Sequence, residues 1–164
     1  MSKKTPEQIK NIVRRGTTLL QRGRHYQAAD VLERAYKYDP DNFDAALNLS
    51  AAYIQGKKFK DAIPILEQLA ARESTNPMVY TNLGAAYLGN PVLAKDDAQR
   101  KAIRAFERAL MFDPTAPNVA YNIGLIYRDR RQWGVAIKWF KRAVEHNPHD
   151  KDARYWIDQI NERL

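Results

Sequence analysis

Apolar residues along this chain recur three and four positions apart, in stretches broken by glycine, asparagine, aspartate and proline. Tyr80, Leu83, Gly84 and Tyr87 fall at i, i+3, i+4 and i+7, so they share one face of a helix. Ala102, Phe106, Ala109 and Leu110 form a similar face on the following stretch. One kind of break carries turn residues: Gly23, Gly56, Gly89-Asn90-Pro91, and Arg131-Gln132 near Gly134. A second kind carries Asp39-Pro40, Asp113-Pro114 and Asn147-Pro148, where proline removes a donor that a continuing helix needs and restricts the residue before it. The segment "ESTNP", ending at Pro77, departs from that form. The pattern predicts pairs of amphipathic helices, with a tight turn inside each pair and a stop between pairs.

The pairs repeat. Gly16, Ser50 and Gly84 are spaced by 34 residues, and Gly124 stands 40 after Gly84. An alanine follows 12 positions on at Ala28, Ala62 and Ala136, but 18 on at Ala102, so six extra residues lie within "LGNPVLAKDDAQRK". They admit two readings: a second helix that starts early, with Asp96 or Asp97 as N-cap, or "NPVLAK" as a protruding apolar loop. The small side chains of Gly84 and Ala102 are expected where two helices approach closely. In residues 151–164, Ala153, Ile157, Ile160 and Leu164 make one apolar stripe, with Asp158, Glu162 and Arg163 opposite. A helix of that kind covers the stacking face that a terminal repeat would otherwise expose.

A 34-residue period with Gly…Tyr…Ala…Phe…Ala…Pro in each unit resembles the tetratricopeptide repeat (TPR) family. Unit three carries Gly84, Tyr87, Ala102, Phe106, Ala109 and Pro114, and unit four Gly124, Tyr127, Ala136, Phe140, Ala143 and Pro148. Unit one supplies Gly16, Leu19, Ala28, Leu32, Ala35 and Pro40, and unit two Ser50, Tyr53, Ala62 and Leu66, with Leu69 in place of the late alanine. The resemblance covers residues 9–150. It implies an all-α, right-handed superhelical solenoid of helix–turn–helix repeats, whose inner surface is lined by the first helix of each pair. The expected organisation is a single domain, 1–164, with repeats at about 9–42, 43–76, 77–116 (with the insertion) and 117–150, and a capping helix over 151–164.

Asn48, Asn82 and Asn122 stand in one register, although asparagine is a poor helix former. Each lies on a second stripe: Asp44, Asn48, Ala51 and Gln55; then Met78, Asn82, Ala85 and Gly89; then Asn118, Asn122, Leu125 and Asp129. In unit one that stripe is Lys10, Arg14, Thr17 and Gln21. The resemblance puts these stripes on the concave wall. An amide offers two donors and an acceptor. Helices about 8–10 Å apart match roughly three residues of extended chain, so one asparagine per repeat would grip peptide backbone at intervals. The expected peptide-binding set is Asn48, Asn82 and Asn122 with Val13, Leu47, Thr81, Tyr121, Leu125, Tyr155 and Trp156. Arg14 and Arg128 would favour acidic residues at the ends of a ligand. The arrangement is similar to the asparagine ladder in the TPR superhelix of O-GlcNAc transferase, without any catalytic part. The competing reading is that these amides bond to neighbouring repeats or local backbone and bind nothing. The carboxylate clamp of chaperone-tail-binding members is not expected: its positions hold Val13, Thr17, Asn48, Met78 and Asn82, of which Asn48 alone agrees.

The formal net charge is +8, but acids are interleaved with bases, as in "RKAIRAFER", which reads as a solvated helical face and speaks against nucleic acid. There is no cysteine, hence no disulfide and no thiolate chemistry, as suits a cytoplasmic chain. No apolar run suggests a signal peptide or a membrane span. His25, His146 and His149 form no metal-binding pattern, and no phosphate loop or nucleophile motif occurs. The expectation is a binding module without cofactor or metal, not an enzyme, whose partner is another protein. The alternative is a scaffold that self-associates or assembles a complex through Ile9 and Ile12 at its first edge, or through Trp133 and Trp139 on its outer helices.

Overall fold

The structure, a computed structural model, describes residues 4–73, 75–90 and 93–164. Among the described residues there are nine helices and no strand: α1 Pro6–Gln21, α2 His25–Tyr38, α3 Phe43–Gln55, α4 Phe59–Arg72, α5 Pro77–Leu88, α6 Asp96–Phe112, α7 Val119–Asp129, α8 Trp133–His146 and α9 Lys151–Asn161. None is long and apolar enough to cross a membrane.

Side chains cap α1, α3, α5 and α9, whereas α7, after Asp113-Pro114, has no side-chain cap. Thr5 and Gln8 form a reciprocal capping box on α1. Asn42 accepts from Ala45 N–H, Asn76 from Met78 N–H and Asp150 from Ala153 N–H. The turns within pairs work through the backbone. Gly23, Lys57 and Arg131 adopt positive φ of 72°, 59° and 58°. In each case the next N–H reaches back across the turn, Arg24 to Leu19 O, Lys58 to Tyr53 O and Gln132 to Tyr127 O, at 2.8–2.9 Å. The left-handed residue of unit two is therefore Lys57. Gly56 lies in the turn as expected, with φ −81°.

Helices pack as successive pairs, α1–α2, α3–α4, α5–α6 and α7–α8, and each following helix stacks on the pair before it. The small positions serve the close approach. A Cβ on Gly84 would lie 2.5 Å from the Phe106 ring, one on Gly16 2.5 Å from Leu32 Cγ, and one on Gly124 2.7 Å from the Phe140 ring. Ser50 takes the same place in unit two, fully buried, its hydroxyl donating to Leu47 O at 2.7 Å. Ala28, Ala62, Ala102 and Ala136 are completely buried. α9 covers the end of the stack with Ala153 and Ile160 buried, whereas Leu164, expected in that stripe, lies past the helix and is exposed.

The insertion divides between helix and connection. α6 has 17 residues where α2, α4 and α8 have 14. Its N-cap is Lys95, with Asp96 and Asp97 inside the first turn, where carboxylates favour the helix dipole. Leu93 of the connection is exposed, while Pro91 and Val92 lie outside the described residues.

Of the residues named for self-association, Ile9 does not match the packing. Ile9 is buried against the first core cluster. Trp133 and Trp139 are half-buried and pack on the C-terminal core. A side chain that already fills its own core has little apolar area left to offer a second copy.

Candidate inner-wall site

Five equivalent positions run along the first helices of the units and α9: Arg14, Asn48, Asn82, Asn122 and Trp156. All three asparagines are half-buried. Asn48 Nδ2 donates to Asp44 O at 2.9 Å, the local backbone bond that polar residues often make in helices. Its second donor and its oxygen are unused. The side chains of Asn82 and Asn122 have no hydrogen-bond partner among the described residues, and no fully buried side-chain polar atom there lacks one, so both amides face solvent.

The stripe opens into a concavity at each end. Between α1 and α3 lies a space of about 650 Å³ lined by Lys10, Val13, Arg14, Thr17, Asp44 and Asn48, among others. Arg14 there donates to Asn11 Oδ1 at 2.9 Å. At the other end, α7, its turn and α9 enclose about 500 Å³ lined by Arg128, Arg131, Trp156, Gln159 and Arg163, among others. Arg128 sits over the Trp156 ring, 4.1 Å from its centroid. Tyr155 makes an edge contact with Trp156 at 5.2 Å between centroids and is exposed.

Other expected wall residues are less open. Leu47 is buried in the first core cluster and holds helices together. It sits one helix step off the open stripe, which turned it inward. Val13 is buried too, showing only an edge to the concavity beside α1. Leu125 is half-buried on the C-terminal core. Tyr121 packs on Phe140 at 5.7 Å. Burial raises the pKa of its hydroxyl, with a hydrogen bond to Trp156 acting against that rise and the Asp152 and Asp150 carboxylates adding to it. Thr81 spends its hydroxyl on Pro77 O at 2.9 Å.

Arg131, Gln159 and Arg163 were absent from the expected set. Register alone would have reached two of them, because Gln159 and Arg163 stand where α3 has Ala51 and Gln55. Arg131 belongs to a turn, and no helical period assigns it.

The wall is not uniform. α3 touches both α1 and α5, but α5 and α7 hardly meet. Asn48 and Asn82 thus stand on adjoining helices, with Asn122 across a wider step. Among the described residues no cluster of three or more histidines, cysteines or carboxylates could hold a metal ion.

Comparison with known proteins accords with this geometry. The tetratricopeptide repeat profile matches residues 19–88 and again 117–150. The chain is 25% identical over 160 residues to the DnaJ homolog subfamily C member 3 homolog of Dictyostelium discoideum, spanning 90% of this chain and 32% of that protein. It is 22% identical over 139 residues to Hsp70-Hsp90 organizing protein 2 of Arabidopsis thaliana, spanning 82% and 23%. The chain thus spans a third or less of these relatives. Among solved structures, MamA from Desulfovibrio magneticus RS-1 superposes with a TM-score of 0.73 at 24% identity, covering 87% of this chain and 77% of that one, a likeness of fold alone. The family and the relatives support a role in protein–protein interaction. The chain belongs to the tetratricopeptide repeat family.

Proposed function

We propose that the inner wall receives an extended segment of a partner protein and grips its backbone through Asn48, Asn82 and Asn122. The observation that carries this reading is a file of three half-buried amides with hydrogen-bonding capacity to spare. A purely structural asparagine would spend that capacity on its own chain, as Asn48 does only in part. Arg14, Tyr121, Leu125, Arg128, Tyr155 and Trp156 flank the file, and Val13 adds an apolar edge. In this reading residues 1–164 act as one domain of four repeats, 9–42, 43–76, 77–116 and 117–150, closed by the helix at 151–164. The domain works as a binding module in the cytoplasm rather than as an enzyme.

Each backbone bond contributes about 0.5–1.5 kcal/mol net. Changing Asn48, Asn82 and Asn122 together to alanine should therefore cost about 2 kcal/mol or more, roughly a 30-fold weaker dissociation constant. Alanine is the better helix former, so the melting temperature should hold or rise slightly. Capture of the partner by the triple variant at wild-type strength ends the proposal.

A further inference from the structure

The inner stripe does not finish on an amide. At its fifth position α9 presents Trp156, followed by Gln159 and Arg163, and these line the C-terminal concavity of about 500 Å³ with Arg128, Asp129 and Arg131. The charges there do not balance. Arg128 is accounted for: its guanidinium lies over Trp156 and donates to Asp129 Oδ1 at 2.8 Å and 2.6 Å. The side chains of Arg131 and Arg163 make no ion pair, hydrogen bond or ring contact among the described residues. Three arginines thus line the recess with one carboxylate, leaving two positive charges uncompensated beside an indole.

We propose that this concavity binds a phosphate monoester, a phosphoserine or phosphothreonine of the partner segment. The protein source rests on the groove reading above, since the concavity continues the same stripe. The phosphate rests on the site itself. Guanidinium matches phosphate oxygens with paired, parallel hydrogen bonds. A phosphomonoester carries about −1.5 to −2 charge at pH 7, which neutralises the excess, whereas a carboxylate would leave part of it. The cations line a recess in file with the asparagines, whereas a lipid surface calls for a flat, outward-facing basic face.

The test uses the whole chain labelled with nitrogen-15 and N-acetyl-O-phosphoserine amide as probe, followed on the tryptophan indole and arginine side-chain resonances. Trp133 and Trp156, which both line the recess, should shift saturably while Trp139, which lines no part of it, stays still. Binding should strengthen as pH rises from about 5 to 7.5, because the second phosphate proton leaves near pH 6. N-acetylserine amide should be silent, and N-acetylglutamate amide roughly tenfold weaker. The double variant Arg131→Asn, Arg163→Gln should weaken binding by roughly tenfold or more. Asparagine suits the left-handed turn position, and unchanged helical circular dichroism would show the fold intact. Equal binding by the double variant, or by the glutamate probe, overturns the proposal. The Asn48→Ala, Asn82→Ala, Asn122→Ala variant should bind the probe normally. A silent probe with partner capture still asparagine-dependent sinks this site and leaves the groove. A shifting probe with capture indifferent to the asparagines does the reverse.

Discussion

The second helix of one pair meets the first helix of the next in two different ways along this chain. At the first two such junctions a tyrosine hydroxyl reaches back to a glutamate 20 residues earlier: Tyr53 to Glu33 Oε1 at 2.8 Å and Tyr87 to Glu67 Oε1 at 2.6 Å. The third junction holds the same residues at the same spacing, Tyr127 and Glu107, yet they do not bond. There α6 and α7 pack sparsely. Asn118, at φ 62°, turns left-handed without a side-chain cap, and α7 starts only at Val119. By the register of Phe43 and Pro77 it would have started at Pro117. In exchange, the extra turn of α6 offers Asp96, which bonds to both Arg100 and Arg130. The insertion thus coincides with a junction tied at the helix ends instead of along their length. The apolar core does not break at this junction: one cluster runs from α1 to α5 and reaches Ala105, a second joins α6 to α7 across it, and a third centres on α8 and α9. An identical pair of residues makes a bond or not according to how the helices that carry them are set.

Phe106→Ala challenges that contrast most severely. Phe106 is fully buried against Gly84, and removing its ring should cost about 3–5 kcal/mol. If the third junction is the weak one, hydrogen exchange should quicken in α6–α9 while α1–α4 amides keep more of their protection. Equal loss everywhere would mean a single cooperative unit and no weak junction.

The tyrosines sharpen the contrast at smaller scale. Tyr53→Phe and Tyr87→Phe should each lower stability by about 1 kcal/mol, and Tyr127→Phe by nearly nothing, read from denaturant midpoints. A comparable cost for all three would show that the third strut forms after all. The same bonds act on pH dependence. Burial, then the Glu67 bond and charge, push the Tyr87 hydroxyl up to about 12, and Tyr53 rises likewise. A phenol whose folded pKa exceeds its unfolded value holds its proton more tightly when folded. Its contribution is complete below pH 10 and fades between about 10 and 12. Tyr87→Phe should flatten the alkaline fall in stability, and an unchanged slope would assign that fall elsewhere.

Asp96→Asn should have the smallest effect. The carboxylate is exposed, and the Arg100 hydrogen bond is the first of the causes that hold its pKa below the usual carboxylate range. Exposed ion pairs contribute little and are screened by salt. The melting temperature should barely move at physiological salt, with faster exchange confined to the first turn of α6. A large loss would make the end clasp the main tie of the third junction.

Much of the site was readable before the fold. The register of Asn48, Asn82 and Asn122 followed from counting, because a repeat length is a property of the chain. Leu47 was misplaced on the wall because one residue is only about 100° around a helix, and a neighbour's position decides which side of that boundary is buried. Arg131 entered the recess through a turn, which carries no periodic signal. Gly56 was read as a turn residue of unit two and is one, but the left-handed conformation falls on Lys57 beside it.

Taken alone, the residues determined the helices, their pairing, the small positions facing Leu32, Phe106 and Phe140, and the repeat itself. All of these depend on contacts within about one repeat length, where helical period and side-chain volume suffice. Only the tertiary structure decided that Tyr127 leaves Glu107 unbonded, that Asp96 meets Arg130, and that Arg131 and Arg163 share one recess with Trp156. Those outcomes depend on the relative placement of whole helices, to which every earlier turn and insertion contributes.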